Sequence, residues 1–122
     1  MGRLGTTDPQ GRPHLVPISF VLVGDVVYSA VDSKPKRTRR LQRVANIERD
    51  PHASLLVDHY DEDWTTVWWC FVTGRAHVVF EGEEFDHGVN ALVDKYDQYA
   101  GNPPAGPVLV LEVDEWRGWY ST

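Results

Sequence analysis

Apolar and β-branched residues along this chain fall in short runs that alternate with polar positions, and turn residues separate the runs. That spacing predicts strands more than long helices. Leu4–Thr7 reads as a short strand. Asp8-Pro9-Gln10-Gly11 reads as a turn, in which Pro presets φ and Gly accepts the left-handed region. His14–Val23 follows as a long strand. Within it, Pro17 demands an edge position or a bulge, because it has no N–H to give to a ladder. Gly24-Asp25 makes a link of hairpin length to Val26–Val31, so the first three strands form a meander. Leu41, Val44, Ala45 and Glu48 then recur at helical spacing, and Asp50-Pro51 stops that helix near Arg49. Ala53–Tyr60 is the next strand, and Asp61-Glu62-Asp63 is an acidic loop. Thr65–Val79 is a long β-branched and aromatic run broken by Gly74, which predicts a bulge or bend. Glu83–Tyr96 is a second helix with Phe85, Val89, Leu92 and Val93 on one face. A Pro-rich loop, Asn102–Pro107, leads into Val108–Val113 and a short aromatic piece, Trp116–Tyr120. About six strands and two helices, without βαβ alternation, predict a mostly β fold. The expected form is a six-stranded antiparallel sheet closed into a barrel, with helices attached.

Composition narrows the class. The 122 residues are 42% hydrophobic and 25% charged, the balance of a globular chain, and they are expected to form a single domain over residues 1–122. Cys70 is the only cysteine, so no intrachain disulfide can form. Its apolar neighbours Trp69 and Phe71 mark it as a small buried residue. Met1-Gly2-Arg3 leads straight into strand-like sequence, with no signal peptide, and no apolar run approaches the ~20 residues of a membrane span. A cytoplasmic protein with no membrane partner is expected. Gly2 and Thr6 fit a loose lipidation pattern, but the strand at Leu4 argues against a free lipidated arm.

Charge is distributed unevenly. The net charge is -6, yet six of the twelve Lys and Arg residues lie between Lys34 and Arg43. A basic turn between a strand and a helix start is a good seat for phosphate. Free backbone N–H groups and the positive end of the helix dipole point outward there. The competing reading is a solvated basic face. A sequence pI of about 5.2 argues against a nucleic-acid partner. No Gly-rich dinucleotide or P-loop motif is present, and no nucleophile elbow. His14, His52, His59, His77 and His87 share no zinc-type spacing, so no metal is expected. With no acid/base or nucleophile constellation in view, the chemistry is expected to lie in a bound organic cofactor.

Leu4-Gly5-Thr6-Thr7, followed by Gly11-Arg12-Pro13-His14-Leu15-Val16-Pro17, resembles the opening of the pyridoxamine-5′-phosphate-oxidase-like split barrels. Lys34-Pro35-Lys36-Arg37-Thr38-Arg39-Arg40-Leu41 and Asn46-Ile47-Glu48-Arg49-Asp50-Pro51-His52-Ala53-Ser54-Leu55 resemble that superfamily's strand-to-helix phosphate site and next strand. The likeness runs on through Leu56–Trp64 to Trp116-Arg117-Gly118-Trp119, and is strongest to the branch of F420-dependent enzymes. Members usually carry a helix before the first strand, whereas this sequence begins at that strand.

The resemblance implies a homodimer with a cofactor site at each subunit interface. It implies F420, with FMN as the alternative. Lys34, Lys36, Arg37 and Thr38 would stand on the phosphate side, and His14, Val16, Pro17 and Ser19 would contact the ring from the second strand. Strand alternation puts His14 and Val16 on one face and Pro17 and Ser19 on the other. On the outer face of the helix, Arg39, Arg40 and Arg43 share a cationic track with Lys36 and could meet the polyglutamate tail of F420. Trp64 is the candidate to reach the partner's cofactor, while most of the five Trp residues are expected at the dimer interface. The activity implied is hydride transfer between reduced F420 and a small conjugated organic substrate. The alternatives are an FMN-binding oxidoreductase and a non-catalytic flavin or deazaflavin carrier.

Overall fold

The computed structural model of the chain describes residues 1–31 and 41–121. Seven strands form one antiparallel sheet in the order β2-β1-β5-β6-β7-β4-β3. They are β1 (Gly2–Thr7), β2 (Pro13–Ile18), β3 (Val21–Val23), β4 (Val26–Ala30), β5 (His52–His59), β6 (Trp68–Val79) and β7 (Val108–Tyr120). Helix α1 (Gln42–Arg49) joins β4 to β5, and α2 (Glu83–Lys95) joins β6 to β7.

The expected six strands are seven because the run from His14 to Val23 breaks at Ser19-Phe20, giving β2 and β3. The short aromatic piece adds none, since it fuses with Val108–Val113 into the single strand β7. β2 is an edge strand, as Pro13 and Pro17 require. The sheet curls until its two ends meet: Ser29 Oγ on β4 donates to the carbonyl of Ser19, just past β2, at 2.7 Å. The edge strands β2 and β3 follow one another in the chain through Ser19-Phe20, and no ladder pairs them with each other. The result is a curled sheet that is open at this seam.

The two faces are covered differently. Inside the curl, Leu4, Ile18, Val27, Leu55, Val72, Leu109 and Leu111 form the main core, with Val44 and Ile47 of α1 packed into it. The helix pattern expected from Glu48 is carried instead by Asn46, which is fully buried. Asn46 Nδ2 donates to Thr6 Oγ1 at 3.0 Å, and its Oδ1 accepts from Gln42 Nε2 at 2.7 Å, so the buried amide is satisfied. On the outer face, α2 covers Tyr28, Val108 and Val110 with Phe85 and Val89. Close approach there depends on Gly88, where a Cβ would stand 2.8 Å from Tyr28 Cδ1.

Gly74 marks a change in the long β6–β7 ladder. Gly74 pairs with Val113 and Thr73 with Glu115, so Asp114 is the extra residue of a bulge. A Cβ on Gly74 would lie 2.0 Å from the Glu112 carbonyl oxygen, which explains the glycine. Cys70 is half-buried on the inner face, against the main core. Gly2 is held within β1, paired with Ile18. Among the described residues, no helix is long and apolar enough to cross a membrane.

Candidate functional site

Where the two ends of the curled sheet meet, a cleft of about 550 Å³ opens. Pro17, Ile18 and Ser19 line it from the end of β2, and Ser29 and Ala30 from β4. Arg43 enters from the first turn of α1, and Tyr96 and Tyr99 close the far side after α2. Ser29 is buried and its hydroxyl is committed to the Ser19 carbonyl.

Arg43 is the unusual residue of this cleft. Its Nε is buried and has no hydrogen-bond partner among the described residues. Burial pushes the guanidinium below its ordinary pKa, and no carboxylate among the described residues acts on it. A guanidinium remains charged even so. A half-buried cation without a counter-ion is costly unless an anion joins it. The donor fork of Arg43 suits phosphate or carboxylate oxygens.

The expected ring contacts divide. Pro17 and Ser19 line the cleft. His14 and Val16 lie on the inner face of β2, opposite Thr6 and Leu4. Val16 packs against the core, and His14 Nδ1 is buried without a partner among the described residues. Lys34, Lys36, Arg37 and Thr38 lie outside the described residues, as do Arg39 and Arg40. Arg43 was expected on an outer helical track, and the structure turns it into the cleft instead. Trp64 is 71% exposed, in a single helical turn, Trp64–Thr66, and is not among the residues lining the cleft. Asp63 caps that turn, its carboxylate accepting from the backbone N–H and the hydroxyl of Thr65. Ser29, Ala30, Tyr96 and Tyr99 were not anticipated. Only Ser29, a small polar residue inside an apolar strand, carried a signal.

A second open surface lies beyond the Gly74 bulge. Trp68, Trp69, Trp116 and Trp119 are each between 37% and 50% exposed, and Tyr120 is 72% exposed. On the outer face of the sheet, two shallow grooves meet at Phe71. One is flanked by Leu15 and Asp114. The other is flanked by Trp69, Leu56 and Arg117.

A sequence model of a known family, pyridoxamine 5′-phosphate oxidase, matches residues 1–120. Among solved structures, a conserved hypothetical protein of Mycobacterium tuberculosis superposes with a TM-score of 0.76 at 22% identity, over 98% of this chain and 76% of that one. A heme-binding protein of Mycobacterium smegmatis gives 0.77 at 21% identity, over 98% of this chain and 48% of that one, so this chain spans about half its length. HupZ of Group A Streptococcus gives 0.68 at 16% identity, over 98% of this chain and 85% of that one. At these identities the likeness shows the fold alone. No curated protein matches the sequence.

Proposed function

Since the chain belongs to the pyridoxamine 5′-phosphate oxidase family, we propose that it is an oxidoreductase that binds a phosphate-bearing flavin or deazaflavin in the Arg43 cleft. The observation that carries this reading is the buried Nε of Arg43, which has no partner among the described residues and lies beside Ser19 and Pro17. The donor set fits the group: a cation for a phosphate oxygen, with flat surface from Pro17 and the tyrosines beside it. When bound, such a ring supplies two-electron hydride chemistry. The chain's own part is to anchor the anionic end, hold the ring against the end of β2, and keep water from it. Lys34, Lys36, Arg37 and Thr38 follow β4 directly in sequence and would add phosphate contacts.

FMN and F420 share the phosphate and differ in the tail. Arg43 supports the shared contact, because it lines the cleft and so does not serve an outer track. F420 therefore rests on the sequence resemblance and on Arg39 and Arg40. We place a second copy of the chain on the bare aromatic end of β6–β7, giving a homodimer. Titration with FMN and with F420 of different tail lengths tests cofactor identity. An affinity that rises with tail length supports F420, and tighter FMN binding supports the flavin enzyme. Turnover of the reduced cofactor by a conjugated acceptor separates an enzyme from a carrier.

A further inference from the structure

Phe20 stands between β2 and β3 and belongs to neither ladder. Its backbone groups are satisfied from a residue 76 positions away. The Tyr96 hydroxyl accepts from Phe20 N–H at 3.1 Å and donates to the Phe20 carbonyl at 2.8 Å. Lys95 Nζ donates to the same carbonyl and stands 4.3 Å above the Phe20 ring. Tyr96 is itself fixed, because its N–H ends α2 on the Leu92 carbonyl and its ring meets Tyr99 edge-on at 5.9 Å. The neighbouring carbonyl, of Ser19, takes the Ser29 hydroxyl. The two-residue corner Ser19-Phe20 is thus held entirely by side chains. Ser19 of this corner lines the cleft on one side, and Tyr96 lines it on another.

We propose that Tyr96 is a positioning residue of the cofactor cleft, acting through the Ser19-Phe20 corner. This rests on the cofactor reading above and adds a residue to that site. One hydroxyl fixes both backbone groups of Phe20, so it decides whether Ser19 and Pro17 face the cleft in one arrangement or several. A corner already ordered costs a ligand less to bind, and by linkage a bound ligand must in turn steady the corner. Lys95 assists at the carbonyl only, so its share is smaller.

The test combines backbone amide exchange with cofactor titration on the intact chain. Tyr96→Phe keeps the ring and removes the hydroxyl. It is expected to speed exchange at Phe20 at least about tenfold and to weaken FMN or F420 binding by roughly fivefold to tenfold. Exchange within β6 and β7 should not change. Lys95→Met is expected to show the same two effects, about twofold each. FMN or F420 bound to the unaltered protein should slow exchange at Phe20. Tyr60→Phe, which removes an exposed hydroxyl, should alter neither readout. Faster Phe20 exchange with unaltered cofactor affinity would overturn the positioning role, as would unaltered Phe20 exchange in Tyr96→Phe. If Arg43→Met loses binding while Tyr96→Phe does not, the cofactor reading stands and this inference falls. If the unaltered protein binds neither cofactor, both fall together.

Discussion

The β6–β7 ladder has two halves that meet at the Gly74 bulge, and they are built alike but covered oppositely. On one side, Ala76, Leu109 and Leu111 face the main core, Val108 and Val110 face α2, and none is more than 4% exposed. On the other, the same two strands pair from Trp68–Thr73 to Glu115–Tyr120, and four tryptophans look outward from both faces. The backbone hydrogen bonding continues through both halves. The inner positions Val72 and Cys70 of the second half still pack on the main core, and the difference lies in its aromatic positions, which stay exposed. A strand pair with aromatic side chains bare on both sides marks an interaction surface. The covered half and the elements packed on it carry the Arg43 cleft, whereas the bare half is where the proposed second copy would sit.

The joint between the halves gives the largest predicted effect. Gly74→Val would drive a side chain into the Glu112 carbonyl, and should cost more than about 3 kcal/mol, read as loss of cooperative thermal unfolding. A folded Gly74→Val protein of normal stability would break the account of the bulge. Replacing Trp69 and Trp119 together with Glu should raise the dimer dissociation constant about 100-fold (~3 kcal/mol), seen by sedimentation velocity. A protein that is monomeric before substitution would remove the bare half's assigned role. Gly88→Val should loosen α2 from Tyr28 and cost about 1–3 kcal/mol by chemical denaturation, with the tryptophan half unaffected. The smallest effect concerns the turn that presents Trp64. The hydroxyl of Thr65, and then its backbone N–H, hold the Asp63 carboxyl below its ordinary value of 3.8. A lowered folded pKa gives stability that is complete above the ordinary value and lost as pH falls through the folded one. Tryptophan fluorescence should therefore shift below about pH 3.8, and Asp63→Ala should abolish that shift.

Much of the sheet was legible in the sequence. Pro17 announced an edge strand, and Gly74 announced a bulge, each through a local backbone constraint. The boundaries that failed depend on distant partners. Ser19-Phe20 sits inside an apolar run, and only Tyr96, far along the chain, explains why the strand breaks there. Asp114-Glu115 reads as a strand end, yet the bulge absorbs Asp114 and β7 continues. The cleft was legible in residue type but not in direction. Helical phase counted from Lys36 put Arg43 outside, whereas Leu41 is extended and α1 begins at Gln42. Burial of Val44 and Ile47 then sets the phase that turns Arg43 to the cleft. The aromatic excess was plain, but no sequence pattern says which face of a strand stays bare.

The central claim is that Arg43 anchors the anionic group of a flavin or deazaflavin. Calorimetric titration of FMN and F420 into the unaltered protein and into Arg43→Met tests it most directly. A charge-assisted contact of ~1.5–3 kcal/mol predicts a loss of about tenfold to 100-fold in affinity, with partial recovery in Arg43→Lys. The sedimentation coefficient should be the same in all three proteins, since Arg43 is not on the bare half of the ladder. Equal cofactor affinity in the unaltered and Arg43→Met proteins would contradict the claim.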